Sequence, residues 1–155
     1  MFMVTQTLPA TVKNKKMTRN IAEKIANLLN NRNQLVVEYS TDKVLLSKSN
    51  YVYIEEENEV IACAESKKVQ WYQSEISHVS VLEKVEGKGK GKEILSLAEQ
   101  KAKNEGAKIL QCTIRTNNEN SIRLFLRMGY VKVNRFFYPN SGNWVYVLQK
   151  TISTD

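Results

Sequence analysis

The sequence is poor in the residues that metal and nucleophile chemistry needs. It has one histidine and two cysteines in 155 residues, and they show no clustered ligand spacing. Protein metal centres such as zinc sites draw on several Cys, His or carboxylate ligands at close spacing, so no metal site is expected. A Ser-His-Asp site would need His78 beside a serine elbow of the G-x-S-x-G kind, and that pattern is absent. Cys63 and Cys112 each lie inside an apolar run. Two such residues make no disulfide framework, and they read as reduced, buried, small apolar side chains. Prolines are scarce too: Pro9 and Pro139 interrupt no periodic segment. With no repeat and no low-complexity tract, one continuous domain over 1–155 is expected. Long apolar runs are missing. None approaches the ~20 residues that a membrane span requires, and "MFMVTQTLPATVKNKK" lacks the apolar stretch of a signal peptide. The expectation is a soluble, cytoplasmic protein with no membrane partner.

What is present fits a globular domain. The apolar fraction is 42% and the charged fraction 25%. A chain of this length buries roughly 70% of its unfolded surface and needs no staples. The net charge of +7 favours anionic partners: a phosphorylated cofactor, an acidic protein or a nucleic acid. It also serves solubility, and charge alone does not separate these.

Periodicity gives an order of elements. "TRNIAEKIANLLNN" has an N-cap in Thr18 and apolar positions Ile21, Ile25, Leu28 and Leu29 at helical spacing. "QLVVEY" reads as a short strand. "YVYIEE" and "EVIACAE" flank a turn at Glu57 and Asn58, and "KVQWYQ" leads into "ISHVSVLE", an antiparallel meander. Ile94, Leu97, Ala98 and Ala102 then form a helical stripe ended by Gly106. "AKILQCTI" is a strand. Asn118 or Asn120 caps a helix with Ile122, Phe125 and Leu126, closed by Gly129. "YVKVNRFFY" and "NWVYVLQ" make a final hairpin around "PNSGN". A strand–helix–strand crossover in a mostly antiparallel sheet gives a mixed α/β fold.

The chemistry concentrates at "EGKGKGKE", residues 86–93, between a strand and a helix. Glycines 87, 89 and 91 allow a tight turn and close approach of a ligand to the main chain. The first N–H groups of a helix starting near Gly91 lack intrahelical partners and carry the positive end of the dipole. A pyrophosphate fits there, and Lys88, Lys90 and Lys92 add charge. A P-loop does not fit, because Glu93 occupies its Ser/Thr position. Nor does a dinucleotide fingerprint, because the spacing is G-x-G-x-G late in the chain. A phosphate cradle, a solvated loop and a basic patch for nucleic acid all remain open on these residues.

Two segments carry a family resemblance. "VSVLEKVEGKGKGKEIL" is similar to the acyl-CoA-binding segment of the GNAT superfamily of N-acetyltransferases, an apolar-small-Val triplet followed by Arg/Gln-x-x-Gly-x-Gly/Ala. "NNENSIRLFLRMGYVKV" resembles the family's downstream Asn, Leu-Tyr and Gly-Phe pattern. The resemblance covers about residues 60–150. It implies a GNAT-like, mostly antiparallel central sheet flanked by helices, with acetyl-CoA or another acyl-CoA as cofactor. It implies that Val79, Ser80 and Val81 hydrogen-bond the pantetheine arm, with an N–H near Val81 or Leu82 polarising the thioester carbonyl. Gly87 to Lys92 would hold the pyrophosphate. Asn118 matches the asparagine that contacts the cofactor, and Ser121, Phe125 and Arg127 follow on its helix near the thiol and 3′-phosphate. Ile122 and Leu126 read as helix core.

Two positions depart from the pattern. Glu86 stands where the family has Arg or Gln, so it is expected to face solvent or to pair with Lys88 or Lys90. Phe125 stands where the family's tyrosine protonates the departing thiolate. A thiol has a pKa of about 8.5 and leaves tolerably without help, while a general acid contributes roughly 10²–10⁴-fold. Tyr138 is the candidate replacement. For the general base, Glu75 and His78 are the candidates, since an acceptor amine must be neutral to attack. Three residues apart on a regular strand, they face opposite sides.

The resemblance implies an amine acceptor, on a small molecule or a protein. Trp71, Tyr72, Phe136, Phe137, Tyr138, Trp144 and Tyr146 are shared between cross-strand packing and an acceptor groove, with Trp71 and Tyr72 on opposite faces of one strand. Arg135 suits an acidic or phosphorylated acceptor. A homodimer stays open. The competing readings are a nucleic-acid-binding or -modifying protein on the same fold, which seventeen lysines and exposed aromatics would suit, and a weak GNAT relative serving as a binding module.

Overall fold

In a computed structural model of the chain, residues 16–32 and 38–152 are described. The expected strand "QLVVEY" lies mostly outside them. The element order is α1 (Arg19–Arg32), α2 (Thr41–Leu46), β1 (Tyr51–Glu56), β2 (Glu59–Gln70), β3 (Gln73–Val81), α3 (Lys90–Asn104), β4 (Ile109–Arg115), α4 (Glu119–Arg127), β5 (Val131–Tyr138) and β6 (Asn143–Thr151), with 3-10 turns at Lys48–Asn50 and Glu83–Val85. The six strands form one sheet in the order β1-β2-β3-β4-β6-β5. β3 and β4 run parallel, while β4–β6 and β5–β6 are antiparallel. This is the mixed α/β, mostly antiparallel arrangement that the element order implied.

The chain forms two compact units. The first holds the described residues up to Ala64 together with His78–Leu97. Thr18 starts α1, its Oγ1 accepting from the Ile21 N–H at 3.2 Å. The α1 stripe of Ile21, Ile25, Leu28 and Leu29 packs with Val44, Tyr51, Tyr53, Val60 and Cys63 into one apolar core. β1 turns into β2 through Glu57 and Asn58, both at positive φ (52° and 64°), the conformation a tight two-residue hairpin turn requires. Helix α2 was not anticipated. Its single run of six residues shows no period, and only the Ser40 hydroxyl, which accepts from the Lys43 N–H, marks its start.

The second unit holds Glu65–Ser77 and the chain from Ala98 onward. β2 is one long strand that continues to Gln70, and Trp71 and Tyr72 form its turn into β3. The reading of these two aromatics on opposite strand faces is therefore corrected: Trp71 is 70% exposed, edge to face with Tyr72. Aromatic propensity masks a turn that contains no Gly, Asn or Pro. Asn118 caps α4, its Oδ1 accepting from the Ser121 N–H at 3.3 Å. Ile122 is buried in the core as expected, but Leu126 is 42% exposed, so its assignment to the core is corrected. β5 is exposed along its whole length, lies at the edge of the sheet and carries a bulge between Lys132 and Asn134. Cys63 and Cys112 are both buried. Among the described residues no helix is long and apolar enough to cross a membrane.

Candidate active site

The glycine junction lies wholly in the first unit. After β3 the chain makes a 3-10 turn and then a tight turn over residues 86–89. Gly87 and Gly89 sit at φ +77° and +79°, and a Cβ at either would meet nothing within 4 Å. Glycine is thus required by the left-handed backbone and not by crowding. The first bond of α3 runs from the Glu93 N–H to the Gly89 carbonyl at 3.0 Å. The N–H groups of Lys90, Gly91 and Lys92 therefore have no intrahelical acceptor. They form a donor set at the positive end of a helix of 15 residues.

The lysines of this loop differ in availability. Lys90 bonds Glu56 at 3.0 Å and Glu93 at 3.2 Å. Lys88 and Lys92 make no ion pair with the described residues. Glu86 is not paired with Lys88 or Lys90, as the sequence suggested. Its carboxylate accepts from the Arg32 guanidinium, at the end of α1, at 2.6 Å. That partner is 54 residues away in sequence, beyond the reach of local pattern.

The strand leading to the loop is irregular. His78 adopts φ +54° within β3, a conformation uncommon outside glycine that accumulates at functional sites. The regular alternation assumed between Glu75 and His78 is therefore broken, and facing cannot be read from their spacing. The His78 Nε2 lies 2.9 Å from the Tyr39 hydroxyl, with the rings edge to face. Asn30 holds Tyr39 in place: its Nδ2 donates to the Tyr39 carbonyl at 2.8 Å and its Oδ1 accepts from the Tyr39 N–H at 2.7 Å.

Beyond His78 the strand is extended. The Leu82 N–H donates to the Ile61 carbonyl of β2 at 2.8 Å. It is therefore engaged, and of the two amides expected to polarise a thioester only that of Val81 remains. Neighbouring residues of a strand send their N–H groups to opposite edges, so Val81 and Val79 present theirs on the edge away from β2. Along that edge β3 pairs with β4 only at Gln73, Ser74 and Glu75. Val79, Ser80 and Val81 are each half-buried.

In the second unit, Glu75 heads a polar row across three strands. Gln149 Nε2 donates to Gln111 Oε1 at 2.7 Å, and Gln111 Nε2 donates to Glu75 Oε1 at 3.4 Å. Burial pushes the Glu75 carboxyl above the usual carboxylate range, and the Gln111 donor works against that shift. Asn118 and Arg127 are exposed, and Ser121 is half-buried. Phe125 is 3% exposed, its ring edge to face with Tyr130. Tyr138 is exposed on β5, its hydroxyl accepting from Asn140 at 3.2 Å. Arg135 stacks over the Trp144 ring at 4.8 Å. Among the described residues no group of His, Cys, Asp and Glu could hold a metal ion.

The sequence profile described as the acetyltransferase (GNAT) family matches residues 20–130, well over half of the chain. The chain belongs to the GNAT acetyltransferase family. No curated protein matches it significantly in sequence. Solved structures agree on the GNAT fold. Ard1 from Thermoplasma volcanium is similar at TM-score 0.77 and 15% identity, over 90% of this chain and 96% of that one. The ribosomal-protein-alanine N-acetyltransferase from Brucella melitensis gives 0.75 and 18%, over 89% and 98%. The putative acetyltransferase yncA from Salmonella typhimurium, solved with its cofactor acetyl-CoA, gives 0.75 and 18%, over 91% and 92%.

The GNAT pattern accounts for the glycine turn and the capping Asn118. Four residues that the structure adds, Arg32, Tyr39, Gln111 and Gln149, carry no motif. The one available signal was indirect: a carboxylate at position 86, where the family has Arg or Gln, calls for a cation from elsewhere.

Proposed function

We propose that this chain is an acyl-CoA-dependent N-acyltransferase, working as a single domain over 1–155 in the cytoplasm. It would transfer acetyl directly to a primary amine of a small molecule or protein. The observation that carries the reading is the set of three unpaired amides at Lys90–Lys92, opening onto a turn of two left-handed glycines within the family-matched segment. That donor set suits a pyrophosphate. The Glu86 carboxylate does not oppose it, being neutralised by Arg32.

Acetyl-CoA, when bound, supplies an acetyl group activated as a thioester. Gly87, Lys88, Gly89, Lys90, Gly91 and Lys92 would hold its pyrophosphate, with Glu86 at their lip. Val79, Ser80 and Val81 would bind the pantetheine arm through the edge that β4 leaves unpaired. The Val81 N–H would donate toward the thioester carbonyl oxygen, where negative charge grows in the transition state. Asn118, Ser121, Phe125 and Arg127 belong to the cofactor side of α4 in this reading.

Glu75 carries the general-base role. It is half-buried, and that burial raises its carboxyl above the usual carboxylate range, the direction that makes a carboxylate a stronger base. His78 is the alternative base, and its Nε2 is already bonded to Tyr39. Tyr138 would hold the proton for the leaving sulfur, since Phe125 has none to give.

A thermal melt with CoA tests the reading. Ligand at ~100 times Kd adds about 2.7 kcal/mol to the folded state, so a clear rise in Tm is expected. A Tm unmoved by millimolar CoA would sink it. With acetyl-CoA and an amine panel, direct transfer predicts no CoA release until the acceptor is added.

A further inference from the structure

We propose that Arg32 is a pyrophosphate-binding residue and that Glu86 is the group that positions it. The inference rests on the acyl-CoA reading above and concerns a residue outside both family motifs. At position 86 the family's Arg or Gln would face the pyrophosphate, and a carboxylate there is repulsive. This chain places the Arg32 guanidinium on that carboxylate at 2.6 Å, one residue before the first left-handed glycine. Arg32 thereby cancels the charge of that carboxylate and brings a guanidinium to the loop from α1.

The chemistry of the guanidinium supports more than neutralisation. It presents several N–H donors in a planar fork and binds carboxylate and phosphate alike. Only one of its nitrogens is bonded to Glu86, and no other partner is present among the described residues. The side chain is 31% exposed, so those donors remain within reach of a ligand. A carboxylate on one side fixes the long side chain and lowers the entropy lost when the other side meets a phosphate. Of the three lysines in the loop, Lys90 is already shared between Glu56 and Glu93, which raises the weight that falls on Arg32.

Calorimetric titration of the full chain with CoA, 3′-dephospho-CoA and pantetheine tests this. The variants are Arg32→Ala, Glu86→Gln and their combination. Arg32→Ala is expected to weaken CoA by about 10- to 100-fold, the range of a charged hydrogen bond, and to weaken 3′-dephospho-CoA equally. Pantetheine, which lacks the pyrophosphate, is expected to bind wild type and variant alike. The double variant is expected to stay weak. If it instead regains wild-type affinity, Arg32 merely silences Glu86 and the proposal is overturned. A loss confined to CoA also overturns it, by placing the guanidinium at the 3′-phosphate. Wild type failing to bind CoA would sink the acyl-CoA reading itself, whereas wild type and Arg32→Ala binding CoA equally would sink only the role of Arg32. If Arg32→Ala melts early, Arg32→Gln carries the same comparison.

Discussion

The Tyr39 hydroxyl and the Nε2 of His78 stand 2.9 Å apart, with Tyr39 fixed through both of its backbone groups by Asn30. The hydroxyl can donate to that nitrogen or accept from it, and the side it takes biases which tautomer the neutral imidazole adopts. His78 is the chain's one histidine, so nitrogen-detected NMR reads it without assignment. Wild type is expected to show one dominant neutral tautomer. Tyr39→Phe is expected to show a mixture. An unchanged spectrum in Tyr39→Phe would mean that the hydroxyl does not orient the ring.

Glu75 gives a stability prediction with a definite sign. Its carboxyl is raised in the fold by burial, so the folded state holds the proton more tightly than the unfolded chain does. Stability linked to this group is present at low pH and is lost as pH rises through the folded pKa. Glu75→Gln removes the ionisable group, so it is expected to raise Tm at pH 7 and to change it little near pH 4. Melts of both proteins across that range check the sign.

The same carboxylate gives a catalytic prediction. Gln111 lowers the Glu75 pKa by donating to it, and Gln149 holds the Gln111 amide in the donating orientation. Gln111→Leu is therefore expected to raise that pKa further. If Glu75 is the base, the rising limb of kcat/KM against pH moves to higher pH in Gln111→Leu, and in Gln149→Leu to a smaller extent. A limb that stays in place removes Glu75 from the base role.

Gly87 and Gly89 separate backbone conformation from space. A methyl group at either would touch nothing, yet both lie at positive φ. Alanine at one of them is expected to cost about 1–2 kcal/mol, the penalty of a left-handed L-residue. For a chain of this size that is a fall in Tm of about 2–8 °C. CoA affinity should fall with it, because the turn aims the α3 amides. Phe125→Ala is a contrasting case. It empties a buried site against Tyr130 and is expected to cost about 3–5 kcal/mol in a denaturant melt.

Features whose cause is local could be read from the sequence. β1 is found over Tyr51–Glu56 as its alternating apolar and aromatic run suggested. The α3 stripe, the Thr18 and Asn118 caps and the glycine stops at 106 and 129 follow from spacing and turn chemistry. Features set by distant partners were hidden. The left-handed His78 depends on how β3 is held, and no residue type there announces it. Arg32 meets Glu86, and Gln149 meets Gln111, through the fold alone. Leu126 sat at a core-like period but fell on the outer side of a helix only nine residues long.

The outermost strand has a further consequence. Among the described residues β5 has a strand partner on one side alone, and Val131, Val133, Phe136 and Phe137 are exposed along it. Such an edge invites strand-to-strand pairing between molecules. Lys132, Arg135 and the bulge between Lys132 and Asn134 interrupt it, and so act as guards on colloidal behaviour. Removing both cations, as in Lys132→Ala with Arg135→Ala, is expected to favour association of molecules along this edge in concentrated solution.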